Sequence, residues 1–449
     1  MARPPQITPE ILRALLRLRG PVSATELAST LKVNRTTIAR ALPDLGEQLV
    51  TLGATRSSRY LLRRALRNGA NRWPIYQIDS DGRANDWAEL EAFHETHWRI
   101  NWAGSPPAWA HHFLRPDGLW HGFPFFLADL RPQGFLGRAI VRHLAIALQL
   151  PSDFRRWNDD DTLFYLQSAS DDLPGNLVLG DECLRRALGR ATSENPQSYL
   201  AHAEQAANVQ TGSSAGGEQP KFLTTRDDQP VLVKFSPDIN QPIGQRWGDL
   251  LLCEYHALTV LGEAGLATAG ARILDEDERR FLEVPRFDRT GTGGRRGVVS
   301  LEALHSSAAD SYARTWPEAA ANLQKAGLLD ASGLVTVRRL HAFGELIGNT
   351  DMHFGNLAFW MDHELPFRVA PAYDMLPMLW APTPQGELLE LAFAPLPPVP
   401  ADREIWLDSA RLAVTFWQRV AADSRLSDSF RQRAEQCRAF VENLQRRVG

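Results

Sequence analysis

Ile11, Leu12, Leu15, Leu16 and Leu18 recur at helical spacing behind Thr8-Pro9. A hydroxyl in capping position followed by proline in the first turn starts a helix, so an amphipathic first helix is expected. After Gly20-Pro21-Val22, the run Ser23-Ala24-Thr25-Glu26 has the spacing of a capping box and opens a short helix that buries Leu27, Ala28 and Leu31. Asn34 is placed to cap a third helix with Ile38, Ala41 and Leu42 inward and Arg35, Thr36, Thr37 and Arg40 outward. The pattern then changes to a hairpin, Leu49–Leu52 and Arg59–Leu62, around a turn from Gly53 to Ser58 that contains Arg56.

Charge sharpens that picture. Residues 1–70 carry twelve Arg or Lys against four Asp or Glu, a net +8, while the whole 449-residue chain is at −4, so the remainder is acidic. A basic head on an acidic body suits a polyanion, with a solvated basic face as the plain alternative. Short helices with a tight joint followed by a hairpin resemble the bacterial winged helix-turn-helix regulators. That resemblance implies that the third helix enters the major groove of double-stranded DNA and the wing touches its backbone. Arg35, Thr36, Thr37, Arg40 and Arg56 are the candidate contacts. The same pattern also serves as a protein–protein module.

The length calls for two or three compact units, and 44% hydrophobic with 23% charged residues is a soluble globular composition. No apolar run approaches the roughly eighteen residues of a membrane span. Arg13, Arg17 and Arg19 interrupt the N-terminal leucines, unlike a secretory signal, and Cys183, Cys253 and Cys437 are scattered and odd in number. A cytoplasmic protein without a membrane partner is expected, its thiols buried and ordinary. From 71 to 200 the chain is rich in Trp, Pro and Asp, with a strand expected at Ile75–Ile78. Stretches 122–130 and 172–177 are expected to be core strands and turns without chemistry.

Chemistry begins at Ser213-Ser214-Ala215-Gly216-Gly217-Glu218-Gln219-Pro220-Lys221, a small-residue loop whose amides could approach phosphate oxygens. Such a stretch can equally be a mobile turn. Past a hairpin at Asp227-Asp228, Lys234 stands in the apolar run Val231–Phe235, where a lysine needs a charged partner. Glu254, in a run of helical spacing, is the candidate; strand lysine then helix glutamate is the order found in kinases. A surface glutamate is the alternative. Asn349-Thr350-Asp351-Met352-His353-Phe354-Gly355-Asn356 follows a helix with Leu340, Phe343 and Ile347 inward. An aspartate five residues before an asparagine, on a loop, can set a general base beside a Mg²⁺ ligand. Asp374 supplies a second carboxylate 23 residues after Asp351.

Taken in order, the loop from Ser214 to Lys221, Val233-Lys234, Glu254, Val284-Pro285-Arg286-Phe287-Asp288-Arg289, Asn349 to Asn356 and Tyr373-Asp374 resemble the HipA family of toxin kinases over roughly residues 120–400. The fused winged helix resembles its YjjJ-type subgroup. The resemblance implies an α+β, bilobal kinase-like fold behind a winged helix: 1–70 the DNA-binding domain, 71–289 an N-terminal lobe, 290–449 a mainly helical C-terminal lobe. It implies a serine/threonine protein kinase using ATP and Mg²⁺, with a protein substrate, a translation component among the candidates, and an antitoxin as a further candidate partner. Asp351 would be the base, with His353 near the phosphates, and Asn356 and Asp374 the metal ligands. Ser214, Gly216, Gly217, Lys221, Lys234, Glu254 and Phe287 would hold the nucleotide. Ser214, with Ser213 second, would be an inactivating autophosphorylation site. Two positions depart from the family pattern, Pro285 where a glutamate is common and Phe354 after His353. A DNA-binding regulator whose kinase fold only senses nucleotide is the main alternative, and a small-molecule phosphotransferase a third.

Overall fold

The computed structural model describes residues 7–54, 58–67, 69–94, 97–189, 199–210, 219–291, 293–308 and 312–449. Helices α1 (Pro9–Arg19), α2 (Ala24–Leu31) and α3 (Arg35–Ala41) close over buried Leu12, Leu16, Leu27, Ile38 and Leu42. The Glu26 amide donates to the Ser23 hydroxyl and the Ser23 amide to the Glu26 carboxylate, which makes the capping box. Thr8 and Asn34 stand at N-cap positions, but their side chains make no capping bond; at α1, Pro9 already removes one of the orphan N–H groups a cap would satisfy. Strands β1 (Val22–Ser23), β2 (Leu49–Leu52) and β3 (Arg59–Leu62) form an antiparallel sheet of order β1-β3-β2, the hairpin lying where the alternation placed it.

This head is joined to the body through its wing. The apolar face of the hairpin, Val50, Leu52 and Leu61, packs on Phe93 and Leu119. Arg63 bridges to Phe93, and the Arg64 amide donates to the Ala92 carbonyl at 3.0 Å. Arg63, Arg64 and Arg67 pair with Glu91, Asp160 and Asp161. Three of the twelve cations that made the head look polyanion-seeking therefore face carboxylates of the body.

The body begins with an antiparallel sheet of β4 (Arg72–Ile78), β5 (Ala84–Ala92), β6 (His97–Trp102), β7 (Trp120–His121) and β8 (Leu177–Leu179), ordered β7-β6-β5-β4-β8. Residues 122–130 differ from the strand-and-turn expectation. One helical turn, α4 (Phe125–Ala128), follows Pro124 and turns both Phe125 and Phe126 into a core with Trp109 and Trp120. Helices α5 (Gly134–Leu148), α6 (Asp159–Ala169) and α7 (Asp181–Gly189) complete this unit, and α8 (Tyr199–Gln210) leads to the next.

A second antiparallel sheet follows: β9 (Lys221–Arg226), β10 (Gln229–Phe235), β11 (Arg272–Glu276) and β12 (Arg279–Pro285), ordered β11-β12-β10-β9, with α9 (Pro242–Glu263) between β10 and β11. The β9–β10 turn places Asp227 and Asp228 at φ 49° and 61°, the left-handed pair that a two-residue hairpin requires and aspartate tolerates. Short strands β13 (Arg289–Thr290), β14 (Gly294–Arg295), β15 (Val298–Ser300), β16 (Ala358–Trp360) and β17 (Arg368–Val369) then accompany helices α10 (Leu301–Ala308), α11 (Trp316–Lys325), α12 (Ala331–Leu346), α13 (Arg403–Ala422) and α14 (Asp428–Val448). One hydrophobic core runs from Leu66 through Trp73, Leu250 and Phe343 to Leu444. The fold is α+β. No described helix is long and apolar enough to cross a membrane, and all three cysteines are buried and unpaired with one another.

Candidate active site

The end of β10 is buried on both faces, Val233, Lys234 and Phe235 in succession, with Lys234 at 3% exposure and in register opposite Lys221 of β9. Its Nζ lies 2.6 and 2.7 Å from the two carboxylate oxygens of Glu254, which α9 carries into the interior, and also contacts Asp374 Oδ1. Burial opposes the lysine charge, but Asp374 and Glu254 outweigh it and hold the ammonium well above the ordinary lysine range. Burial likewise opposes ionisation of Asp374, but the positive charges of Lys234 and Lys221 overcome it and hold its carboxyl below the usual aspartate range. The Asp374 backbone sits at φ 53° and its carbonyl accepts from Asn349 Nδ2 at 3.3 Å.

The stretch between α12 and β16 is held by side chains rather than by a sheet. Asn349 Oδ1 accepts the Asp351 amide at 3.1 Å, and Asn356 Nδ2 donates to the Asp351 carbonyl at 2.8 Å. The Asn356 side-chain oxygen is thereby the open atom of that amide. The His353 ring folds back so that Nδ1 accepts the Gly355 amide at 3.1 Å. A Cβ at Gly355 would lie 2.8 Å from that ring, so a side chain there would expel it. Trp316 Nε1 donates to the His353 carbonyl at 3.0 Å and the Tyr373 hydroxyl to the Gly355 carbonyl at 2.8 Å.

These groups share one cleft of about 1200 Å³, whose walls include Lys221, Lys234, Glu254, Phe287, Asp351, His353, Asn356 and Asp374. Phe287 lies 5.6 Å from the Trp360 ring and 5.8 Å from Tyr373. Phe354 leaves the cleft wall and packs on His305 at 5.5 Å. Ser213, Ser214, Gly216 and Gly217 of the small-residue loop lie outside the described residues, as does Arg56 of the wing. Arg35, Thr36, Thr37 and Arg40 are all exposed on α3.

Several residues that no short-range sequence pattern marks also support the site. Asp172, expected in a plain turn, pairs with both Arg286 and Arg289, which also clasp Asp288. Burial disfavours the Asp288 charge, yet the two guanidiniums hold its carboxyl at about 2. Asn349 and Tyr373 were within the motifs, but their bonding was not legible; Trp316 carried no signal at all, being 37 residues from the carbonyl it meets.

Comparison with known proteins matches this layout in three successive stretches: residues 9–60 to an HTH domain, 69–188 to the YjjJ-like toxin middle domain, and 213–447 to the HipA-like C-terminal domain. The chain is 36% identical to Toxin YjjJ of Escherichia coli strain K12 over 451 residues, spanning 96% of this chain and 98% of that one. Among solved structures, a chain of the Shewanella oneidensis MR-1 HipA, HipB and operator DNA complex superposes with a TM-score of 0.52 at 15% identity, covering 84% of this chain and 95% of that one. The Helicobacter pylori proinflammatory kinase CtkA gives 0.38 at 12% identity over 51% of this chain and 94% of its own. The chain belongs to the HipA-like toxin family, in the group that shares the middle domain of YjjJ and begins with a helix-turn-helix domain.

Proposed function

We propose that the chain is an ATP-dependent serine/threonine protein kinase of toxin type whose N-terminal domain binds duplex DNA. The observation that carries this reading is the convergence of the Lys234–Glu254 pair, Asp374, Asp351 and Asn356 on one cleft. That is the division of labour phosphoryl transfer needs: a cation for phosphate, a base for the acceptor hydroxyl, and oxygen donors for a hard cation.

The donor set fits Mg²⁺. Asp374 is ionised across the physiological range, and Asn356 has its amide nitrogen committed to Asp351 and its oxygen open. A carboxylate and an amide oxygen with retained water are what this ion takes. Lys221 and Lys234 would meet the phosphates and Phe287 the adenine. When bound, Mg²⁺ supplies neutralisation of the charge spread over the phosphoryl oxygens. Asp351, exposed at the mouth of the cleft, accepts the proton of the acceptor hydroxyl. The acceptor is a serine or threonine of another protein, and Ser214 or Ser213 of the small-residue loop in the inactivating reaction, where added negative charge would repel the nucleotide phosphates. An antitoxin protein is a further expected partner.

The test is incubation of the purified chain with radiolabelled ATP, Mg²⁺ and cell extract. A labelled protein band is expected, together with slower self-labelling at Ser214 or Ser213 that an Asp351→Ala chain lacks. DNA binding with no phosphate transfer under any of these conditions would replace this reading with that of a nucleotide-sensing regulator.

A further inference from the structure

Between Leu346 at the end of α12 and Ala358 at the start of β16 the chain has only a three-residue helical turn. Three alternate carbonyls of this stretch each accept a side-chain donor. Asp351 accepts from Asn356 at 2.8 Å, His353 from Trp316 at 3.0 Å, and Gly355 from Tyr373 at 2.8 Å. The first donor belongs to the stretch itself. The other two reach in from separate elements, the first residue of α11 and the segment after β17.

Building on the kinase reading, we propose that Trp316 and Tyr373 are positioning residues that clamp this loop, keeping the Asp351 carboxylate and the Asn356 oxygen in register for phosphoryl transfer. A loop without sheet partners samples many backbone geometries, and a base misplaced by about 1 Å loses much of its effect. Both donors are anchored by neighbouring rings. Trp316 is 1% exposed, its ring 6.2 Å from that of His341. Tyr373 is half-buried, and its hydroxyl reaches the Gly355 carbonyl at 2.8 Å while its ring lies 5.8 Å from Phe287.

Trp316 donates to the carbonyl two residues after Asp351, so its bond bears directly on the backbone that carries the base. Tyr373 adds a link, because its ring faces Phe287 at 5.8 Å while its neighbour Asp374 contacts Lys234. The surface against which the adenine would lie and the base-bearing loop thus share one side chain.

The experiment compares the full chain with Trp316→Phe, Tyr373→Phe and the double variant, each change removing the donor and keeping an aromatic ring. Transfer kcat is expected to fall about fivefold per lost bond, with ATP KM unchanged. Amide hydrogen exchange over residues 350–357 should quicken in both variants. Wild-type kcat in the variants overturns the proposal, and so does a fall in kcat that comes with an equal rise in KM. If the wild-type chain itself transfers no phosphate, the kinase reading has failed. Exchange then decides the clamp alone, and unchanged protection of 350–357 overturns it.

Discussion

Asp351 and Asp374 are the same residue type on two loops of one cleft, and their surroundings set them apart. Asp374 is pinned against Lys234, which holds its carboxyl below the usual aspartate range, whereas Asp351 is an exposed residue of the cleft wall with its backbone amide and carbonyl both bonded. On the kinase reading, Asp351→Asn should keep ATP affinity while transfer falls by about 10²-fold or more, as loss of a general base does. Asp374→Asn should weaken Mg²⁺-dependent nucleotide binding as well as turnover. Calorimetry of ATP with and without Mg²⁺, beside a transfer assay, separates the two; equal losses of affinity would remove the distinction. Asp288 gives a prediction about stability. Its folded carboxyl titrates at about 2, below the ~3.9 of an unfolded aspartate. Protonation therefore favours the unfolded chain, and the stability it contributes is complete above about pH 4 and lost as pH falls towards 2. Removing its charge with Asp288→Asn leaves buried Arg286 and Arg289 short of a partner, and a urea midpoint equivalent to about 3 kcal/mol less stability is expected. These motif residues were legible because their chemistry is local in sequence. Asp172 and Trp316 were not, since their partners lie 114 and 37 residues away and no short-range pattern encodes such pairings.

Among the elements, the hairpin Leu49–Leu52 with Arg59–Leu62 and the capped α2 follow directly from alternation and from Ser23-x-x-Glu26. The stretch 122–130 does not. A run of aromatic and apolar residues suits a strand or a helical turn equally, and packing of Phe125 and Phe126 into a tryptophan-rich core decided it. The charge of the head had to be divided as well, because a count cannot say where a cation points. Arg35 and Arg40 of α3 are exposed, whereas Arg63 and Arg67 hold Glu91 and Asp161. If α3 reads DNA, Arg35→Ala and Arg40→Ala should weaken duplex binding and lower its salt slope by about one each. Arg63→Ala and Arg67→Ala should leave that slope alone and lower the unfolding midpoint instead. Fluorescence anisotropy of labelled duplex across a salt series reads the first pair, and a reversal of the two effects would place the DNA face elsewhere.

Across the whole molecule, the fold class was visible from the ordered motifs, but the way the units are joined was not. Asp129 accepts from both the amide and the hydroxyl of Ser300, and Trp109 Nε1 donates to the Asp362 carbonyl at 3.0 Å. Together with Asp172 on Arg286 and Arg289, these contacts help fasten the unit that holds the β4–β8 sheet to the cleft-bearing region. Because one core extends from Leu66 to Leu444, residues 69–447 should unfold in a single calorimetric transition with matching van't Hoff enthalpy. Two resolved transitions would contradict that.

The wing that packs Val50, Leu52 and Leu61 on Phe93 and Leu119 also decides how the molecule tumbles. A head on a loose tether would reorient on its own short correlation time, and a dye on α3 would report fast local rotation. A head whose sheet continues by a backbone bridge into the next must turn with the rest. The dye should therefore decay with the slow rotation of the whole 449-residue particle, and its fast component should appear only when Leu61→Asp or Phe93→Asp breaks the seam.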